Sequence, residues 1–287
     1  MSAENDHASK YRNDPRSTDD LLDLALTKDA DRDNDDYWHP IAALQHRLAQ
    51  VIERIQILSK NGDDKSRDTA ATILGQGWVG AKVASDHCAE ILLQMLAKEQ
   101  SNLVLSSIIF ALGHLHDPRA VEPLVGLRRH SDARVRYAVV SSLCGHDDTL
   151  SIEAMIACSS DPDRDVRNWA TFGLGSQIDV DSPTIREALV ARLKEEDDEI
   201  RGEALVGLAR RGDIRAAATL LNELNTLEAD VLRDWILITE ASEEVVNHAK
   251  ASGSKEWQPV LAKLAALSIG NQDDVQAAMS RCTSPAQ

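Results

Sequence analysis

Aromatic residues are scarce in this chain of 287 residues: two Phe, three Tyr and five Trp, 3% in all. Phe, Tyr and Trp usually dominate core energetics. A core almost without them must be assembled from short aliphatic side chains at close range. Paired cysteines are missing too. Cys88, Cys144, Cys158 and Cys282 show no close spacing, which argues against a disulfide framework. Cys144 and Cys158 fall on helical apolar positions and read as small buried hydrophobes in a reducing compartment. There is no apolar run of the roughly 18 residues that a membrane span needs, and none follows Met1. Neither a spanning helix nor a Sec signal is expected, and the expected location is cytoplasmic. Positive charge is in deficit, with 31 Lys and Arg against 47 Asp and Glu, a net charge of −16. Such a balance repels polyanions and favours a basic partner. Nucleic acid and anionic membrane are therefore not expected as partners. The chain also lacks G-x-S-x-G, a P-loop, H-E-x-x-H and a Gly-rich dinucleotide turn. The sequence nominates no catalytic residue and no cofactor.

What the chain does have is a period. Val104, Val135, Val166, Ile200 and Leu232 stand 31, 31, 34 and 32 residues apart. From Val135 on, each is followed at once by arginine: Arg136, Arg167, Arg201, Arg233. Four residues after each anchor comes another apolar or small residue: Ile108, Val139, Ala170, Ala204, Ile236. Eight after it comes Leu112, Leu143, Leu174 or Leu208, followed by a small residue, Gly113, Cys144, Gly175 or Ala209. Offsets of four and eight inside a period in the low thirties describe an array of helical repeats. Residues 65–76 match the template with Arg67, Ala70, Leu74 and Gly75, although Ser66 holds the anchor position.

A second column marks the partner helix of each pair. Ile55, Leu93, Leu124, Met155, Leu189 and Leu221 each lie 11 residues before the next anchor. The turn between units is therefore constant in length, and variation collects in the turn within a unit. A change between units would tilt every later repeat, whereas a turn along one edge can lengthen freely. The two long edge loops are 76–85, holding Trp78, and 176–183, holding Asp179 and Asp181.

The organisation expected is a disordered tail over 1–19, a short helix and acidic linker over 20–36, the repeat solenoid over 37–240, degenerate capping helices over 241–279, and a tail over 280–287. The pattern decays after Leu232, where Glu240 stands in a leucine position.

The segments DARVRYAVVSSLCG, DRDVRNWATFGLG, DDEIRGEALVGLARRGD and ALGHLHDPRAVEPL resemble the short HEAT-like repeats of bacteria, the kind also found in phycobilisome lyase subunits. The resemblance covers about two thirds of the chain. It implies an all-α fold, an α-solenoid in which antiparallel helix pairs stack into a right-handed superhelix. The implied function is a non-enzymatic scaffold, monomeric, that presents an acidic surface to a basic protein; an immunity protein covering a toxin would be one such case. The alternative it implies is a lyase subunit or modifying factor with a small ligand in its groove. Deoxyhypusine hydroxylase, another enzyme of this superfamily, carries His-Glu pairs on its first helices. The matching positions read Tyr137-Ala138, Asn168-Trp169 and Gly202-Glu203, so that activity is excluded. DNA binding, as in related alkyl-purine glycosylases, is disfavoured by the charge.

Several residues remain as candidates. Arg136, Arg167, Arg201 and Arg233 have an acid just upstream (Asp132, Asp165, Glu199, Asp230) and read as a structural ladder linking units and helix N-termini. Trp169 and Trp235 share a column at the border of the buried stripe. With Trp78, Asp179 and Asp181 they are the candidate partner contacts, since tryptophan is favoured at binding hot spots. His114, His116, His146 and Asp147 crowd successive turns and are weak metal candidates. The acidic run Glu195–Glu199 reads as a solvated turn.

Overall fold

One period of the sequence is one pair of antiparallel helices. The computed structural model describes residues 10–27, 35–75, 82–226 and 236–283. The described residues form helices and turns, with no strand among them. The chain divides into two units, Met1–Leu143 and Cys144–Gln287.

In the first unit the helices are α1 (Thr18–Thr27), α2 (Asp35–His46), α3 (Leu48–Asn61), α4 (Asp64–Leu74), α5 (Lys82–Leu96), α6 (Asn102–Leu115), α7 (Val121–Gly126) and α8 (Ala133–Leu143). First helices pack on first helices in the order α2, α4, α6, α8, and α3 packs on α5 in a second layer. In the second unit they are α9 (Thr149–Cys158), α10 (Arg164–Phe172), α11 (Pro183–Arg192), α12 (Asp198–Arg210), α13 (Ala216–Thr226), α14 (Ile236–Ser252), α15 (Gln258–Leu267) and α16 (Gln272–Thr283). Here α10, α12, α14 and α16 make one layer, while α9 packs on α11 and α13 on α15. This two-layer stacking of helix pairs is an α-solenoid.

The columns explain the stacking. Val104, Val135, Val166 and Ile200 are fully buried, as are Ile108, Val139, Ala170 and Ala204 four residues on. The glycines after Leu74, Leu112 and Leu174 lie close against the next first helix. A Cβ built on Gly75 would lie 2.7 Å from the Ala111 Cα, one on Gly113 2.6 Å from Ser142 Cβ, and one on Gly175 2.8 Å from the Glu203 carbonyl. Real Cβ atoms do not come so close, so a side chain at these points would push the helices apart. Ser142 uses the contact, donating from Oγ to the Ile109 carbonyl at 3.0 Å.

Helix starts are set by aspartates three residues before the anchor. Asp63 accepts from the Ser66 N–H at 2.9 Å, Asp163 from Val166 at 3.2 Å and Asp197 from Ile200 at 3.1 Å. Caps of this kind stabilise the first turn by satisfying an N–H that has no partner within the helix. In the second layer Leu124, Met155 and Leu189 are buried as the column requires, but Leu92 and Leu220 take that place beside Leu93 and Leu221.

Two expectations change. Ile236, assigned to the apolar column, is 74% exposed. The buried stripe of α14 runs instead through Ile238, Ala241, Ser242, Val245 and Ala249. The fifth repeat is thus displaced by two residues, and Glu240 is exposed because it never held the leucine position.

Disorder also does not extend over residues 10–19. Asp14, 7% exposed, accepts from Arg16 Nε at 2.9 Å and lies 2.7 Å from His39 Nε2 on α2. Arg47 donates to the Arg16 carbonyl at 2.7 Å and to the Asp14 carbonyl. Arg54 of α3 pairs with Asp19. A polar network, invisible to hydrophobic periodicity, holds this segment over the open end of the stack. Bonding to Arg16 keeps the Asp14 carboxyl well below its ordinary value. Its contribution is therefore present above the unfolded value of 3.8 and fades as the pH falls below it. Asp14→Ala is expected to lower stability by about 1–3 kcal/mol at pH 7, read as a shift in urea midpoint. An unchanged midpoint would show that the segment adds nothing.

Candidate partner-binding surface

Four arginines of the column reach back to carbonyls of the preceding turn: Arg67 to Gly62 at 2.8 Å, Arg136 to His130 at 2.8 Å, Arg167 to Asp161 at 2.9 Å and Arg201 to Glu195 at 2.7 Å. Three of them also reach forward to an acid: Arg67 to Glu99 at 2.7 Å, Arg167 to Glu195 at 3.5 Å and Arg201 to Glu223 at 2.7 Å. The upstream acids have other work. Asp132 accepts from Asn102 and from the Arg134 N–H, while Asp165 and Glu199 both pair with Arg164. Arg233 and Asp230 lie outside the described residues.

In the run Glu195–Glu199, four of the five acids pair with arginines, Asp198 with Arg201, while Glu196 is exposed. Glu195 sits between Arg167 and Arg192, and Arg164 binds both Asp197 and Glu199. Arg164 has no counterpart in the arginine column, and sequence reasoning passed over it.

The edge loop after α10 is different. α10 runs into a π-helical turn, Gly173–Gln177, and Ile178 turns inward to 2% exposure. Arg211, at the end of α12, holds this segment from inside. Its Nη2 donates to the carbonyls of Leu174 (2.8 Å), Ile178 (3.0 Å) and Val180 (3.0 Å). Its Nη1 donates to Gly175 (3.2 Å) and Gly207 (2.9 Å). Asp181 forms a bidentate pair with Arg186, at 2.8 and 2.6 Å. Asp179 projects from the loop with its side chain 94% exposed, 3.7 Å from Arg210. The structure thus gives the two aspartates different jobs: Asp181 braces the loop and Asp179 is displayed by it.

Of the tryptophans, Trp169 is half-buried, edge-on to Phe172 at 5.5 Å. Trp78 and Trp235 lie outside the described residues. His114 ends α6, and His116 follows in a left-handed conformation with φ 50°. His146 and Asp147 belong to the turn before α9. Among the described residues no group of three or more His, Cys, Asp or Glu is placed to hold a metal ion. Burial pushes the Cys88 and Cys144 thiols up to about 11, which suits packing and not nucleophilic chemistry.

Glu203, the single acid left at a His-Glu position, is buried on α12 and accepts from Ser176 Oγ at 3.0 Å. Burial, with the charges of Glu240 and Glu199, pushes its carboxyl up to about 7.

Comparison with known proteins agrees with this geometry. Protein YibA of Escherichia coli (strain K12) is 30% identical over 174 residues, 58% of this chain and 61% of YibA. The aligned stretch therefore spans about three fifths of that relative. The X-ray structure of E. coli YibA superposes with a TM-score of 0.71 and 25% identity, covering 98% of this chain and 97% of that one. The crystal structure of an engineered protein is similar in fold, with a TM-score of 0.63 and 17% identity over 93% of this chain and 78% of the other. No helix among the described residues is long and apolar enough to cross a membrane. The HEAT-repeat model matches residues 53–144, 89–175 and 152–239. With Val104, Val135, Val166 and Ile200 buried as the pattern demands, the chain belongs to the HEAT-repeat family.

Proposed function

We propose that the protein is a non-enzymatic scaffold that binds a basic protein partner through its edge loops, in a reducing, cytoplasmic setting and as a monomer. The observation that supports this reading is the loop at 177–182. A loop of bare stacking function needs no internal anchor, yet Arg211 fixes this one through the carbonyls of Leu174, Gly175, Ile178 and Val180. Loops held by a rigid frame are where binding residues concentrate, and preorganisation lowers the entropy lost on association. The displayed residue is an aspartate, and the chain carries a net charge of −16. Acidic charge of this kind speeds the approach of a basic partner.

Affinity capture with the full chain, followed by cross-linking, tests the proposal. Asp179→Lys is expected to weaken the captured complex about tenfold while stability changes by less than about 0.5 kcal/mol, as is usual for an exposed site. The complex should also weaken as salt is raised. Undiminished affinity in Asp179→Lys would remove the loop from the interface. A lyase-type reading needs arginine, tryptophan and tyrosine converging on one cavity. Among the described residues, the hollow lined by Trp38, Phe110 and His114 contains neither arginine nor tyrosine.

A further inference from the structure

In the first unit, the turns from one helix pair to the next carry a cation at one fixed place. Lys60, Lys98 and Arg129 each lie six residues before an anchor position, Ser66, Val104 and Val135. All three are exposed. The column then passes through Ser160 and returns at Lys194, so the unbroken row is three long and lies within the first unit. A lysine near the end of a helix complements the helix dipole, but that role calls for no fixed column.

A groove of about 450 Å3 opens between the first two members of the row. Lys60, in the last turn of α3, and Lys98, just after α5, both line it, together with Arg67, Gln94 and Gln100. Glu99 is the carboxylate in the lining, and it is fully engaged. Arg67 donates to it from Nε at 2.7 Å and from Nη2 at 3.0 Å, and the N–H groups of Gln100 and Ser101 donate to it at 2.9 Å. Arg67 and Glu99 therefore cancel. Neither lysine is drawn into an ion pair among the described residues, so Lys60 and Lys98 set the sign of the groove. The volume lies within the roughly 300–1,000 Å3 usual for ligand sites.

We propose that this row receives an acidic peptide segment of a partner protein, in polyproline II form, with a carboxylate at every third residue. Stacked helices lie about 8–10 Å apart, which sets the step of the row. Polyproline II turns once every three residues and rises about 3.1 Å per residue, so every third side chain returns to the same face about 9 Å further on. The two steps match. Nucleic acid fits less well, since the phosphates of a DNA strand follow one another at about 3.4 Å and a long polyanion also meets the net charge of −16. The row is separate from the loop at 177–182, which lies in a turn within a helix pair, and neither surface depends on the other.

The probe is acetyl-(Glu-Pro-Pro)3-amide, titrated at low salt into the 15N-labelled full chain. Saturable shifts are expected at the amides of Lys60, Gln94, Lys98, Gln100 and Arg129. Acetyl-(Gln-Pro-Pro)3-amide, which is uncharged, should bind about tenfold more weakly, because each exposed ion pair contributes a factor of a few. Acetyl-Glu-Glu-Glu-(Pro)6-amide keeps the composition, loses the spacing, and should bind about fivefold more weakly. Lys98→Glu, at an exposed site where substitution leaves the fold intact, should cost about tenfold in affinity, and Lys60→Glu repeats the test at the other wall. Lys194→Glu makes the same change of charge in the second unit and should cost nothing. Equal binding of the three peptides, equal losses in Lys98→Glu and Lys194→Glu, or shifts confined to other residues would each overturn the proposal. Tighter binding of single-stranded oligothymidylate at the same amides would overturn the choice of a peptide.

Discussion

Replacing Arg211 by alanine is expected to lower stability by about 3–4 kcal/mol, because several carbonyls would lose a charged donor together and remain buried. For a chain of this size that corresponds to a fall in melting temperature of roughly 6–16 °C. Burial, with the charges of Arg210 and Arg186 nearby, pulls the Arg211 guanidinium below its ordinary value. The side chain, 5% exposed, stays charged in place because carbonyl oxygens surround it and Asp181 lies 3.9 Å away. Lysine offers one point charge and cannot span carbonyls on both sides, so Arg211→Lys should recover little of the loss. The loop itself should report the change: amide exchange at residues 178–181 is expected to accelerate in Arg211→Ala well before global unfolding. Equal protection in wild type and variant would show that the loop is held by its own chain and not by the arginine.

Glu203 gives the second large effect, and it has the opposite sign. The carboxyl is pushed up from 4.5 to about 7 in the folded protein. Between those values the folded state holds a proton that the unfolded chain releases, so stability falls as the pH rises through that window and then levels off. The difference corresponds to roughly 3 kcal/mol. Glu203→Gln keeps an oxygen for Ser176 Oγ and removes the charge. It should match wild type near pH 5 and exceed it by about that amount at pH 8, in urea midpoints taken at both values. Wild type and variant running parallel across the whole range would mean that Glu203 is ionised in the fold without penalty.

The repeat was legible because its causes are local. Val135, Val139 and Leu143 lie on one helical stripe and are all buried, and the glycine after Leu74 or Leu112 announces a close neighbour. The slip at Ile236 was not legible: a two-residue change of register leaves every apolar residue in place in the sequence and alters only which ones face inward. Asp14 was missed for a related reason. Hydrophobic periodicity cannot register a fold made by an aspartate, two arginines and a histidine. Arg211 did leave a trace, since an arginine in a last helical turn before Gly212 commonly seeks carbonyls. Which carbonyls it finds depends on the path of a loop 30 residues earlier in the chain. The arginine ladder was visible as a column, but its partners were not, because the acid adjacent in sequence is committed to a helix start or to another arginine.

The contacts at Gly75, Gly113 and Gly175 have a mechanical consequence. A joint with a side chain between its surfaces can yield, since rotamers slide and repack. A joint in which a glycine backbone meets the backbone or the first side-chain atom of the next helix has little such cushion. Within each unit the angle from one helix pair to the next is therefore fixed by hard contact, like the pitch of a machined thread. A partner that matches the spacing of those pairs would be measured against a ruler and not a spring.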